Sequence, residues 1–165
     1  MPTDSRRRWA STRALPDRKT SAAAAALALA VAAAGCGGGG RLSVVDFDAK
    51  ADAICAKYNA KVRSAYTGVP PDPVSLTRAI HKAIGYTKKG ADELDALNPP
   101  KMYDAQFKEF VRITYDEVKA GKELAKAAQT RNQALLVAAR TKLVLQGRNA
   151  DRLARQMGLD ACARH

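Results

Sequence analysis

Residues that build catalytic and metal sites are scarce in this sequence. Its 165 residues include two histidines and three cysteines, and it has no Glu-x-x-His pair of the kind that holds di-iron centres in helical bundles. It also lacks a Cys-x-x-Cys redox pair, a Gly-x-Ser-x-Gly nucleophile turn and a glycine-rich phosphate loop. We therefore predict a protein that is not an enzyme and has no cofactor, no metal site and no catalytic residue.

The polar residues that do occur are interpreted as surface. His81 lies between Ile80 and Lys82 at the edge of an apolar stripe, which is more typical of a boundary histidine than of a haem ligand. Two acidic groups have no basic residue at a spacing that would activate them. We expect both to lie on solvated helix faces: Asp92, Glu93 and Asp95 form one group, Asp116 and Glu117 the other.

Long apolar runs are absent too, apart from a short one near the start. It extends from Ala22 to Ala34 and is rich in alanine, and it is shorter than the roughly 20 residues that a membrane-spanning helix needs. Six basic residues precede it, and the small residues Gly35 and Cys36 follow. A basic segment, a short apolar segment and small residues in this order indicate a secretory signal peptide, to which we assign residues 1–35.

The end of this signal resembles the lipobox of bacterial lipoproteins. Ala34, Gly35 and Cys36 fit that motif, whereas Ala33 stands where leucine is more usual. The resemblance implies cleavage before Cys36, a diacylglycerol with chains such as palmitate on its sulfur, and acylation of the new amino terminus. One acyl chain binds a membrane only reversibly, so two or three chains would hold the protein almost permanently. The implied location is extracytoplasmic, lipid-anchored to the bacterial cell membrane.

Two other interpretations of this segment stay open. Ordinary signal cleavage after Ala34 would leave Cys36 as a free thiol or a disulfide partner. The run Ser5-Arg6-Arg7-Arg8-Trp9 also resembles a twin-arginine export signal, so both export routes, Sec and Tat, remain open.

Four glycines, Gly37 to Gly40, follow the lipobox and favour no fixed backbone conformation. We assign residues 36–43 to the lipidated cysteine and a flexible tether. Residues 44–165 then form the folded domain, a length that suits a single hydrophobic core.

Acidic residues are too few to balance the basic ones. The net charge is +12, and because six basic and two acidic residues lie in the signal, the remaining chain keeps about +8. An exported domain meets little nucleic acid, so we expect the membrane as partner, and beyond the anchor an anionic lipid, a cell-wall polymer or an envelope protein. The simpler interpretation, a solvated basic surface, stays open.

Once Cys36 is assigned to lipid, two cysteines remain. Cys55 and Cys162 form an even pair in an oxidising compartment, which favours a disulfide. No further cysteine lies near either of them, which disfavours a metal site.

Four apolar stripes follow along the mature chain, each with the three- and four-residue spacing of a helix with one buried face. The first begins at Asp46, the expected cap, and carries Phe47, Ala51, Ile54, Tyr58, Val62 and Ala65. The second begins at Asp72-Pro73 and carries Leu76, Ile80, Ala83, Ile84, Thr87, Ala91, Leu94 and Leu97. The third follows Pro99-Pro100 and carries Tyr103, Phe107, Phe110, Val111, Thr114, Val118, Gly121, Leu124 and Ala128. The fourth follows Thr130-Arg131-Asn132, carries Leu136, Ala139, Leu143, Gln146, Ala150, Leu153 and Met157, and ends at Gly158 with Leu159 folding back.

Short connections between four such stripes predict an all-α fold, an antiparallel up-down four-helix bundle closed by one disulfide. In that topology the start of the first helix and the end of the fourth lie at the same end. A C-terminal tail that returns along the first helix would bring Cys162 to Cys55, near the membrane. Gly90, Gly121 and Gly147 interrupt the stripes, and we expect them at close helix approaches, with helix kinks as the alternative.

Two side-chain sets stand out within the bundle. Tyr103, Phe107 and Phe110 form an aromatic line, which is typical of a core but would line an apolar pocket if the bundle splays. The basic set of the fourth helix is Arg140, Lys142, Arg148, Arg152, Arg155 and Arg164. Of these, Arg148, Arg152 and Arg155 share one helix face, and they are our candidates for binding an anionic surface.

Two cysteine-containing segments, Ala51 to Cys55 and Gly158 to Cys162, frame the mature chain, and Pro99-Pro100 separates its middle helices. In these features the chain resembles small helical lipoproteins of actinobacteria, a resemblance that implies no activity. We expect a lipid-anchored, non-catalytic binding or interaction module of the cell envelope. The alternative is a carrier of a small apolar ligand in a pocket between the helices, and a pocket of several hundred cubic ångströms would favour it.

Overall fold

The computed structural model describes residues 40–163, and this part of the chain folds into four α-helices. They are α1 (Val44–Tyr66), α2 (Pro73–Asp95), α3 (Asp104–Gln129) and α4 (Gln133–Gln156), with a 3-10 turn at Lys101–Tyr103 before α3. The predicted signal (1–35), the predicted lipidation site Cys36, the first tether residues, Arg164 and His165 lie outside the described residues.

Short polar side chains cap the N-termini of α1, α2 and α4. The prediction of Asp46 as the cap of α1 was wrong, because Ser43 takes that place and its hydroxyl accepts from the backbone N–H of Asp46 at 3.1 Å. The same hydroxyl donates to the Asp46 carboxylate at 2.7 Å, so the acidic residue supports the cap from the first turn. Asp72 caps α2 as predicted, accepting from the N–H groups of Val74 and Ser75.

The helices also end as their sequences predict. Arg131, with φ of 51°, turns the chain between α3 and α4, and Asn132 caps α4. At the far end Gly158 has φ of 77°, and the N–H of Leu159 returns to the carbonyl of Ala154 at 2.9 Å. This is the Schellman arrangement, in which a left-handed glycine lets the following apolar residue fold back, and Leu159 is fully buried.

Successive helices run antiparallel and pack as neighbours: α1 against α2, α2 against α3, and α3 against α4. The fourth side of the bundle differs, since no Cα atom of α1 lies within 8 Å of a Cα atom of α4. The seam between the first and last helices is therefore open along the helices themselves.

The C-terminal tail covers part of this seam. Cys162 is disulfide-bonded to Cys55, as predicted, with their Cα atoms 5.0 Å apart. Ala161 donates its N–H to the Asp52 carboxylate at 2.9 Å and accepts from the Asn59 amide at 3.0 Å. The tail thus returns along α1 as far as its middle, because Cys55 is the twelfth of the 23 residues of α1. We call the end of the bundle where residues 40–43 enter the tether end.

The last residues of the predicted tether are themselves held at the tether end. The N–H of Leu42 donates to the carbonyl of Asn98 at 2.9 Å, and Arg41 reaches both the Pro99 carbonyl and the Asp104 carboxylate at 2.9 Å. Arg41 and Leu42 therefore belong to the folded part and not to the flexible tether predicted for residues 36–43.

Large apolar side chains are concentrated at the tether end. The core there includes fully buried Phe47, Met157 and Leu159 together with Phe107 and Phe110. In the other half the buried positions are mostly small, and they include Ala65, Ala79, Ala83, Ala120, Ala125, Ala127 and Ala139. Leu76 was predicted in the buried stripe of α2, and that was wrong: it is 43% exposed, because it lies in the first turn of α2 at the end away from the tether.

Within residues 40–163 no helix is both long enough and apolar enough to cross a bilayer.

Candidate ligand-binding cleft and basic surface

A cleft of about 460 Å³ opens between the four helices in the half away from the tether. Most of its walls are aliphatic: Val62, Ile80, Ala83, Ile84, Val118, Gly121, Leu124, Leu143, Val144 and Gly147. Its polar lining consists of Tyr66, Thr87, Glu117, Arg148 and Asp151. Ligand sites are typically apolar cavities of roughly 300–1,000 Å³ with a few convergent polar groups, and this cleft has that character.

The cleft exists for two reasons that can be traced to the sequence. Small buried residues such as Ala83 and Gly121 cannot fill the space between four helices, whereas phenylalanine and methionine fill the tether end. The open seam between α1 and α4 then leaves this under-filled half accessible, because the tail returns only as far as the middle of α1.

Glu117 is the unexpected member of the lining. We predicted it on a solvated face, and that was wrong: it is half-buried and faces the cleft. A signal for this was present in the sequence, because Phe110, Thr114, Glu117 and Gly121 follow each other at steps of four, three and four, the spacing of one helix face. Among residues 40–163 the Glu117 carboxylate has no hydrogen bond and no ion pair.

Burial dominates the electrostatics of Glu117. Loss of water raises the pKa of its carboxyl to about 7, and the negative charge of Asp151 on α4 adds to the rise. Asp151 in turn lies 3.6 Å from the guanidinium of Arg155. The carboxyl group of Glu117 therefore changes charge near neutral pH, in apolar surroundings and beside a second acid.

A smaller cavity of about 110 Å³ adjoins the cleft on the tether side. Val62, Thr87 and Glu117 line both spaces, so Glu117 stands at their shared wall. The inner cavity is bounded further by Tyr58 and Phe110.

The aromatic line that we considered for a pocket packs in the core, although Phe110 also bounds the inner cavity. The rings of Phe47 and Phe107 meet edge to face with centroids 4.9 Å apart, and Phe110 stacks beyond them at 6.3 Å from Phe107. Tyr103 covers this group at 5.9 Å from Phe47. In the cleft itself the aromatic residue is Tyr66, at the C-terminal end of α1.

Arg148, Arg152 and Arg155 are brought together as the sequence predicted. All three are exposed and line a shallow depression on α4, together with Asp151 and Gln156. Arg148 also lines the cleft, so the two sites adjoin. We call the three arginines the basic surface.

The rest of the predicted basic set behaves differently. Lys142 forms an ion pair with Glu123 of α3 at 3.0 Å, and Arg140 is exposed about two turns from the start of α4.

The other polar candidates are surface residues, as expected. His81 is exposed and lies 3.5 Å from the Gln129 amide. Lys57 holds the pKa of Glu93 below its usual range by a 2.8 Å hydrogen bond, and Tyr58 donates to the same carboxylate at 2.6 Å. In residues 40–163 no group of three or more histidine, cysteine or acidic side chains is placed to hold a metal ion.

Compared with family models, curated proteins and solved structures, the chain matches none of them.

Proposed function

We propose that this protein is a non-catalytic binding module of the bacterial cell envelope, anchored by lipid on Cys36, and that it carries a small apolar ligand in the cleft. The cleft is the observation that supports this proposal. It has the volume of a ligand site, its walls are aliphatic, and it opens at the seam where α1 and α4 do not meet. The proposal requires no chemistry on the ligand, in keeping with the scarcity of catalytic motifs in the sequence.

Ligand binding in the cleft can be tested by filling it. Val144 lines the cleft and is 47% exposed, so Val144→Trp would place an indole at the mouth without entering the packed core. Leu145, 55% exposed and outside the lining, provides the control Leu145→Trp on the same helix. With the full chain carrying Cys36→Ser, we expect Val144→Trp to weaken binding of the neutral dye Nile red by about tenfold, as the loss of a few buried methylenes would.

The result that would contradict the proposal is equally direct. If the wild type binds no more dye than Val144→Trp does, the cleft is not a ligand site. If both tryptophan variants lose binding equally, the effect belongs to the surface of α4 rather than to the cleft.

Lipid attachment is a separate part of the proposal, and intact-mass analysis tests it. The mature protein from bacterial membranes should begin at Cys36 and carry the mass of two or three acyl chains, and Cys36→Ser should abolish both. A full-length, unprocessed chain in the cytosol with reduced cysteines would refute export and anchoring together.

The basic surface supports a second candidate function, docking on anionic lipid. It lies on the C-terminal half of α4, which runs toward the tether end. A lipid on Cys36 would hold this end near the bilayer, and each basic residue close to an anionic surface adds roughly 1 kcal/mol of attraction. Arg148 and Arg152 form no ion pair within the described residues, so their charge is available.

Vesicle binding separates docking from simple solubility charge. Residues 40–165 with Arg148, Arg152 and Arg155 changed to Gln should bind phosphatidylglycerol vesicles more weakly than the wild type at low salt. The control changes the exposed residues Lys82, Lys122 and Lys126 to Gln, which removes the same charge elsewhere. Equal losses in the two triple variants would leave net charge as the only role. Binding that added salt does not weaken would rule out an electrostatic contribution altogether.

A further inference from the structure

The carboxylate of Glu117 is the one ionisable group that α3 presents to the cleft. Charged side chains are normally exposed or paired because removing them from water is costly. Yet Glu117 is half-buried, with neither a hydrogen bond nor an ion pair among residues 40–163. Its neighbours in the lining include Val118, Gly121 and Ile84, none of which can replace the lost water.

The charges that face Glu117 favour a cation in this place. Asp151 and Arg148 of α4 and Tyr66 of α1 line the cleft with it, and the lining residues of α2 are uncharged. The hydroxyl of Tyr58 donates to the carboxylate of Glu93 instead. Asp151 is the charged neighbour that shifts the pKa of Glu117, and it shifts it upward. The local field is therefore negative, although the chain as a whole is basic.

We propose that the cleft binds a hydrophobic amine, with its alkyl part against the aliphatic walls and its ammonium group on the carboxylate of Glu117. This inference rests on the proposed function, since it names the class of ligand that the cleft carries. A protonated amine supplies hydrogen-bond donors and positive charge where the fold leaves an acceptor unmatched, and charge-assisted hydrogen bonds are stronger than neutral ones. An anionic ligand would instead meet two acids inside the cleft, Glu117 and Asp151.

The amine and the alcohol of one chain length provide matched probes. In the full chain carrying Cys36→Ser, octylamine and octanol compete with Nile red, and they differ only in the head group. We expect octylamine to displace the dye at about tenfold lower concentration at pH 8, because a hydrogen bond to a charged group contributes about 1.5–3 kcal/mol.

Glu117→Gln is the decisive variant. It keeps the shape of the side chain and removes the charge, so octanol and Nile red should bind as before while the advantage of octylamine disappears. Glu123→Gln removes the same charge from the same helix outside the cleft, where the side chain is exposed and pairs with Lys142, and it should keep that advantage.

The pH profile gives an independent readout. An alkyl ammonium group stays protonated up to about pH 10, so a change between pH 6 and 8.5 reports on the protein. We expect the affinity for octylamine to rise over this interval as Glu117 loses its proton, and the affinity for octanol not to rise. In Glu117→Gln the rise should be absent.

The outcomes separate this inference from the function on which it rests. If octanol displaces the dye as well as octylamine does, or if Glu117→Gln keeps the advantage of the amine, the amine proposal fails and the apolar cleft stands. If Nile red binds no better to the wild type than to Val144→Trp, the cleft function itself fails.

Discussion

Glu117 combines three features that rarely occur together at one residue: it is ionisable, half-buried and without a polar partner in the described chain. Such a group lowers the stability of the fold whenever it carries its charge. A cation bound in the cleft would offset this cost, as the proposed amine does.

The stability cost of Glu117 has a defined pH window. Its pKa is about 7 in the folded chain against an ordinary value of 4.5. Below pH 4.5 both folded and unfolded states hold the proton and there is no penalty. Between 4.5 and 7 the unfolded state loses the proton first, so the fold loses stability with rising pH, and above 7 the loss stays constant.

We therefore predict that Glu117→Gln stabilises the protein at pH 8 and leaves it unchanged at pH 4. One pKa unit corresponds to about 1.4 kcal/mol, so the gain at pH 8 is at most about 3 kcal/mol. Urea unfolding of both proteins across this range measures it. A constant difference at all pH values, or a loss of stability at pH 8, would contradict the assigned environment.

At the scale of the helices, glycines decide how closely the elements approach. A Cβ added at Gly121 would lie 2.9 Å from Cγ1 of Ile84, and one at Gly90 would lie 3.1 Å from Cγ of Tyr58. Both glycines therefore sit at close helix contacts, as their positions in the stripes predicted. Gly85, also within α2, has no atom within 4 Å of the position of a Cβ.

These differences predict opposite results for one substitution. Gly85→Ala should raise the free energy of unfolding by about 0.5–1 kcal/mol, because alanine restricts the unfolded chain and favours the helix. Gly121→Ala gains the same propensity but must displace Ile84, and overpacking costs about 1–3 kcal/mol. Gly121→Ala should therefore be less stable than Gly85→Ala. Equal stability of the two variants in urea titrations would contradict this prediction, because it would mean that Ile84 moves aside at no measurable cost.

At the scale of the whole molecule, the fold closes by its tail rather than by helix packing. The α1–α4 seam has no close backbone approach, and the tail is bonded to α1 through Cys55 and Cys162 near the middle of that helix. The loop between the two cysteines covers 107 positions of the sequence. Cross-linking so long a loop restricts the unfolded chain strongly in the chain-entropy account.

The disulfide should thus be a main source of stability for this bundle. We predict that Cys55→Ala with Cys162→Ala lowers the free energy of unfolding by about 2–5 kcal/mol. Denaturant unfolding with and without reductant measures this, and Cys36→Ser is the control that leaves the bond intact. An unfolding midpoint that reductant does not move would mean that the seam is held by packing of the tail alone.

Much of the architecture follows from local sequence. Asp72 followed by Pro73 starts a helix and Gly158 followed by Leu159 ends one, because caps and left-handed glycines act within a few residues. The apolar stripes predicted four antiparallel helices. The cysteine count, together with that topology, predicted the pairing of Cys55 with Cys162. The cap of α1 was misplaced by three residues, since serine and aspartate both suit that role and the hydroxyl of Ser43 fills it.

What the sequence by itself determined is the set of helices, their order and the covalent closure, because each depends on short-range patterns and on counting cysteines. Only the tertiary structure decided where space remains. The gap between α1 and α4, the cleft beside small buried residues and the inward position of Glu117 depend on how four helices fill a common volume. The apolar stripe of one helix does not show how much space the side chains of all four helices leave unfilled. The candidate binding site lies in that unfilled space.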